Sequence, residues 1–222
     1  MNKYLPYILI ASAIIFGFFL KDYLGLSSES QEPVKNVVVG QSNNKIDNKF
    51  ETLLIYPKKN PIANFVMVDQ NNKPFNNANF EGYWNLIFSG YTNCPDVCPN
   101  TLNQMVQLYK LMDKKQRDQF RFIFLSVDPE RDTPEHLKQY LDFFSQDFVG
   151  ISGNVADIDV LIKSLGGIYS INKQEGEFYT VDHSARIFIV GPNGERFGIV
   201  AGGAINAKDK NQLVKDLASL AI

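Results

Sequence analysis

The sequence predicts an α/β domain of three layers around a mixed central sheet, preceded by one N-terminal transmembrane helix. Short apolar runs suited to buried strands alternate with segments of helical period, which is the pattern of helices laid on both faces of a sheet. A separate, uninterrupted apolar stretch stands at the N-terminus. With 45% hydrophobic and 21% charged residues, the 222-residue chain is not disordered, and it is long enough for one sizeable core plus an appendage.

Residues 5–20 read LPYILIASAIIFGFFL, bounded by Lys3 and Lys21-Asp22 and flanked by the interfacial aromatics Tyr4 and Tyr23. At about 1.5 Å per residue the run is roughly 24 Å long, short of a hydrocarbon core of about 30 Å, so it needs the residues out to Leu24 and some bilayer thinning. A cleaved signal peptide competes with this reading. However, Ala11-Ser12-Ala13 lies inside the apolar run and the segment after it is a poor small-x-small site, so residues 1–26 are read as an uncleaved membrane anchor. No cysteine stands directly after the run, which argues against a lipoprotein. The few flanking charges favour an inward N-terminus, leaving the bulk of the chain outside. Residues 27–49, rich in Ser, Asn, Gln and charge, form a tether, and the domain occupies residues 50–222.

Within the domain, Asn64–Asp69 and Pro74-Phe75 flank Gln70-Asn71-Asn72-Lys73, a hairpin signal. Trp84–Ser89 and Arg121–Val127 suit buried strands. Between them, Leu102, Met105, Val106, Leu108, Tyr109 and Met112 recur at helical spacing over Pro99–Lys115. Thr133-Pro134 supplies an N-cap and a first-turn proline for a helix through Phe144. Val155–Leu165 is a third helix, ended by Gly166-Gly167. Ala185–Val190 and Arg196–Ala201 are strands about the turn Gly191-Pro192-Asn193-Gly194, and Lys208–Leu220 is the closing helix.

Composition also narrows function. Net charge is −2 for the chain, with no block of like charge, so a nucleic-acid partner lacks its electrostatic footprint. The only two cysteines sit four apart in Gly90-Tyr91-Thr92-Asn93-Cys94-Pro95-Asp96-Val97-Cys98-Pro99, between a buried strand and a helix N-terminus. The helix dipole and its free amides favour thiolate, so one or both sulfurs should be more reactive than an unperturbed cysteine. Each cysteine precedes a proline, which favours a rigid loop over helix interior. The spacing allows either a disulfide or two donors to one ion.

Only two histidines are available as a third group. His136, beside Glu135 on the helix after Thr133-Pro134, reads as solvated. His183, in Val181-Asp182-His183-Ser184 before a buried strand, could reach the cysteine loop from a sheet-end loop. Two thiolates and an imidazole suit Cu(I), whereas structural zinc usually takes a fourth protein ligand. Asp128-Pro129-Glu130-Arg131-Asp132 could place a carboxylate near the site, but helix capping and pairing with Arg131 is the preferred reading. Met105, Met112, Trp84, Phe122, Phe124, Phe143 and Phe144 are assigned to the core, Asp157 and Asp159 to a helix start, and Gly202-Gly203 to a turn.

Three segments, Tyr91–Pro99, Ser126–Pro134 and Asp182-His183-Ser184, resemble the signature blocks of the Sco/SenC family. The resemblance runs from about Phe50 to Ala221 and includes the N-terminal anchor. It implies a membrane-anchored, thioredoxin-like copper-binding domain that assists assembly of the binuclear copper centre of cytochrome c oxidase. The family's copper ligands fall on Cys94, Cys98 and His183, with Cu(I), and Cu(II) as a second state, as the cargo. The implied partners are the copper-receiving oxidase subunit, a copper donor protein and a thiol reductant. The implied location is a bacterial-type inner membrane, single-pass, with the domain on the periplasmic side, in preference to a mitochondrial inner membrane. Asn93 stands where the family often has another polar residue or histidine, removing an extra imidazole.

Two functions compete on these residues. One is a copper metallochaperone using Cys94, Cys98 and His183. The other is a thiol-disulfide oxidoreductase in which Cys94 and Cys98 are the catalytic redox pair. A peroxidase is disfavoured because Tyr91, not threonine, stands three before Cys94.

Overall fold

The computed structural model describes residues 49–173 and 179–221. The anchor expected over residues 1–26 lies outside them, as does nearly all of the tether. Among the described residues no helix is long and apolar enough to cross a membrane.

The described strands are β1 (Leu53–Pro61), β2 (Val66–Asp69), β3 (Pro74–Asn76), β4 (Trp84–Gly90), β5 (Phe120–Ser126), β6 (Val149–Ser152), β7 (Tyr169–Lys173), β8 (Tyr179–His183), β9 (Ile187–Val190) and β10 (Glu195–Val200). The helices are α1 (Val97–Leu111), α2 (Lys114–Arg117), α3 (Pro134–Asp142), α4 (Val155–Leu165) and α5 (Asn211–Ala218). Eight strands form one sheet in the order β1-β10-β9-β4-β5-β6-β2-β3, and β7 pairs with β8 in a separate hairpin. The central strands β4, β5 and β6 are parallel, and antiparallel strands extend the sheet on both sides. The sheet is therefore mixed, as expected.

Alternation along the central strands assigns the layers. Phe88 and Phe124 pair across β4 and β5 with ring centroids 6.1 Å apart, and Tyr140 of α3 stands 5.8 Å from Phe124. On the same face Tyr109 of α1 meets Phe122 at 5.4 Å. Phe188 is in register with Ile87, one residue out of phase with Phe88, and so belongs to the opposite face. There a Cβ on Gly167 would meet both Phe188 and Ile162 of α4, which identifies α4 as the other helical layer.

Local signals act as their chemistry dictates. Thr133 caps α3, its hydroxyl accepting from the His136 amide, with Pro134 at the first turn. Asn154 caps α4, and Gly166 ends it in the left-handed conformation at φ 78°, which a side chain would resist. Gln70–Lys73 and Gly191–Gly194 turn the expected hairpins β2–β3 and β9–β10.

The structure departs from expectation in several places. Phe143 is 84% exposed at the end of α3, because Leu137, Leu141 and Tyr140 already define the inward stripe and Phe143 falls off it. Asp157 is in the first turn of α4, but Asp159 lies further in and pairs with Lys163 and the Tyr169 hydroxyl. Strand β9 starts at Ile187, and α5 is shorter than Lys208–Leu220. Strands β1, β6, β7 and β8 are not among the expected strands: β6 has four residues, β7 and β8 alternate over only five each, and Pro57 interrupts β1. That proline is tolerated because β1 is an edge strand whose register shifts between Ile55 and Asn60.

Candidate functional site

The parallel strands β4 and β5 end side by side, with the Val127 amide donating to Gly90 O at 2.9 Å, so the loops that follow them are neighbours. The first loop carries the two cysteines and the second reads Asp128-Pro129-Glu130-Arg131-Asp132. The hairpin β7–β8 brings His183 to the same corner. The Ser89 hydroxyl donates to Ser184 O, and the Phe88 and Tyr91 rings stand edge-to-face with the imidazole at 5.9 and 6.2 Å.

Cys94, Cys98 and His183 converge, with one candidate donor atom from each lying within 4.8 Å of the others. Nε2 of His183 is 3.4 Å from Cys98 Sγ. Nδ1 of the same ring is buried and has no hydrogen-bond partner of good geometry among the described residues. Burial holds the His183 pKa below its ordinary value, against the opposing influence of the Ser184 backbone and the Asp182 carboxylate, so the imidazole is neutral and able to donate a lone pair. His136 is elsewhere, exposed on α3 with Nδ1 against Arg131 O, as the sequence suggested.

Helix α1 begins at Val97, two residues earlier than expected, so Cys98 sits in its first turn and not in a loop. Pro99 permits this because first-turn amides have no intrahelical acceptor to lose. Asp96 makes no side-chain cap; instead the Cys98 amide points at Cys94 Sγ at 3.4 Å, so the sulfur occupies the place of a capping oxygen. Both cysteines are free thiols, Cys94 half-buried and Cys98 fully buried.

Of the expectation that the helix would make one or both sulfurs more reactive, the case of both is excluded at Cys98. Burial pushes its thiol pKa far up, and the Cys94 sulfur and Asp132 carboxylate push the same way. Desolvation outweighs the helix dipole because Cys98 faces the sheet core, where a charged sulfur has lost its water. The pair is therefore asymmetric: an accessible sulfur with an amide aimed at it, and a buried one that stays protonated.

Gly90 makes room for that buried sulfur. A Cβ there would stand 2.7 Å from Cys98 Sγ and 2.9 Å from the Phe124 ring. Gly90→Ala should destabilise the domain by about 1–3 kcal/mol through overpacking and displace the thiol. Denaturant unfolding and the rate of Cys98 alkylation check this, and unchanged values in both would refute it.

The second loop ties the site together. Asp132, 1% exposed, accepts from the Ser126 and Thr92 hydroxyls, each at 2.6 Å, and from the Thr92 amide at 3.1 Å, fastening the cysteine loop to the end of β5. Asp128, fully buried, accepts from Arg131 Nε and the Tyr179 hydroxyl, each at 2.5 Å. Arg131 also donates to Tyr179 O at 3.1 Å and lies 3.6 Å over that ring. Pairing of Asp128 with Arg131 was legible in sequence. The Asp132–Thr92 bond and the part of Tyr179 were not, because both partners are distant in the chain. Met105 and Met112 are buried in the core, as expected.

Two cavities flank this corner. One of about 400 Å³ is lined by Tyr169, Asp182, His183, Ser184 and Arg186, and another of about 430 Å³ by Leu54, Val97, Ala185, Arg186 and Ile205. His183 thus lines the first cavity, and Val97, the residue preceding Cys98, lines the second.

Comparison with known proteins adds the family. Residues 56–221 match the family model described as SCO1/SenC. A SCO2-like protein of Rickettsia typhi is 31% identical over 190 residues, covering 85% of this chain and 86% of its own. The structure of Bradyrhizobium japonicum ScoI with copper bound is 35% identical, with a TM-score of 0.62 over 73% of this chain and 98% of that one. The apo Sco1 protein of Thermus thermophilus is 30% identical, with a TM-score of 0.68 over 77% of this chain and 96% of that one. The match spans the cysteine loop, the aspartate-rich loop and the histidine hairpin together, and the chain belongs to the SCO1/SenC family.

Proposed function

We propose that the protein is a copper metallochaperone that takes Cu(I) on Cys94, Cys98 and His183 and passes it to a copper-receiving subunit of cytochrome c oxidase. The observation that carries this reading is the convergence of two sulfurs and a ring nitrogen within 4.8 Å. The donor chemistry fits: two soft thiolates and a neutral imidazole favour Cu(I). Copper in the Bradyrhizobium relative supports the same cargo here. The anchor at residues 1–26 would hold the domain on the periplasmic side of a bacterial-type inner membrane, close to a membrane-embedded acceptor. Transfer is a ligand exchange in which the acceptor's donors replace these three in turn, with no net electron transfer. A copper donor protein would load the site.

The asymmetry of the thiols favours a second activity at the same residues. A Cys94 thiolate would attack a partner disulfide to form a mixed disulfide, and Cys98, after losing its proton, would displace the partner thiol. The partner leaves as a dithiol and Cys94–Cys98 becomes the disulfide, which a dithiol reductant must return to the reduced state.

Titration of the reduced full-length chain with Cu(I) against a competing chelator tests the first reading. A one-to-one complex is expected, and His183→Ala should weaken it by at least the roughly 10–100-fold that loss of even a supporting residue costs a metal site. The same variant should leave thiol exchange near its native rate. Negligible competition by the native chain would move the assignment to the exchange reaction.

A further inference from the structure

We infer that Arg131, Asp128 and Tyr179 are positioning residues: they clamp the β7–β8 hairpin so that His183 meets the thiol of Cys98. The inference deepens the copper reading and rests on His183 being a ligand.

The argument begins with strand period. Tyr179, Val181 and His183 are alternate residues of β8 and share one face, and Val181 at its centre is buried. The contact of His183 with Cys98 and the contact of Tyr179 with Asp128 are therefore two footholds of one strand face, about 13 Å apart at strand rise. The hairpin is outside the main sheet, so no ladder of sheet hydrogen bonds fixes its distance from the cysteine loop. The Ser89 hydroxyl bond to Ser184 O holds the His183 end, and the far end of the strand needs a hold of its own.

The aspartate-rich loop supplies it at the Tyr179 end. Asp128 takes the tyrosine hydroxyl and the Arg131 Nε on separate oxygens, and Arg131 takes the Tyr179 carbonyl while covering its ring. The side chain and backbone of one strand residue are thus both held. Four residues on, Asp132 holds Thr92, two residues before Cys94. One short loop therefore grips both the segment that carries the cysteines and the strand that carries the histidine. Arg131 further lies 5.5 Å from the Tyr91 ring, which is itself edge-on to His183. Burial and the bond to Asp128 raise the Tyr179 pKa to about 12, so this phenol remains a donor throughout the neutral range.

Tyr179→Phe removes the hydroxyl and keeps the ring. In the reduced full-length chain it should weaken Cu(I) binding by about tenfold, the worth of one hydrogen bond to a charged acceptor. In a His183→Ala background it should cause no further loss. Arg131→Lys, which keeps charge but not the planar fork, should behave in the same way. Native affinity in both variants would overturn the clamp, as would equal weakening with and without His183, since that would mark a general loss of structure. A native chain that binds no Cu(I), or whose affinity ignores His183→Ala, would refute the copper reading alone. The clamp is then judged without metal: amide exchange across β8 should quicken by about tenfold in Tyr179→Phe while β9 keeps its protection. Unchanged β8 protection would overturn it.

Discussion

Cys98→Ser should lower Cu(I) affinity by roughly 10³-fold or more, well beyond the ~10–100-fold expected from loss of a supporting residue. The substitution barely changes volume, so packing is nearly conserved, but it exchanges a soft, ionisable sulfur for a hard hydroxyl with little affinity for Cu(I). The wild-type site should also show a pH dependence that the variant loses. In the metal-free protein burial keeps Cys98 protonated well above neutral pH. Copper needs the thiolate, so binding expels this proton, and affinity should rise by about one logarithmic unit per pH unit on its account. Cys98→Ser should reduce that slope by the same amount. Because the new hydroxyl is buried, some stability is lost too, about 1–3 kcal/mol if it finds no partner. Chelator competition at several pH values, alongside denaturant unfolding, separates the two effects. Near-native affinity, or an unaltered slope, would remove Cys98 from the ligand set.

The parts of this site that were legible in sequence are those whose chemistry is local. Cys94 and Cys98 lie four apart between an apolar strand and a helix, and both features are written in adjacent residues. Thr133-Pro134 and Gly166 announce their helix ends in the same way. His183 was identified by its scarcity and by the strand after it, although it lies at the end of a strand, not in a loop. What escaped depends on distant partners. Gly90 reads as an unremarkable glycine until Cys98 and Phe124 crowd it, and Tyr179 as one aromatic among many until Asp128, 51 residues away, receives its hydroxyl. The raised pKa of Cys98 escaped for the same reason: helix position is visible in sequence, but the depth of burial that overrides it depends on how the sheet and helix layers close.

Asp132→Ala should be among the most destabilising single changes in the domain, by about 2–4 kcal/mol, because it strands three donors in a buried place. The Thr92 amide, the Thr92 hydroxyl and the Ser126 hydroxyl would all lose their acceptor. Asp132→Asn keeps one acceptor oxygen and should cost less, about 1–2 kcal/mol. The two variants also differ from the native chain in how stability responds to pH. Burial, against the opposing hydrogen bonds from Ser126 and Thr92 and with help from Asp128, raises the Asp132 pKa above its ordinary value. The folded state thus holds a proton that the unfolded state has already released at about pH 3.9. The stability from this group is complete below that value and is lost as pH rises through the folded pKa. His183 acts in the opposite sense: its lowered pKa makes the unfolded chain the better proton acceptor below about pH 6.5, so acidification costs stability there. The difference between native and Asp132→Asn curves isolates the aspartate, since the histidine is common to both. That difference should shift in favour of the asparagine as pH rises from about 4 through the folded pKa, and then become constant. A parallel pair of curves would mean that Asp132 does not titrate in this window. If Asp132→Ala left unfolding and the alkylation rate of Cys94 unchanged, the aspartate could not be the fastening of the cysteine loop, and the convergence of the two sulfurs and the imidazole would have to be held by α1 and β4 alone.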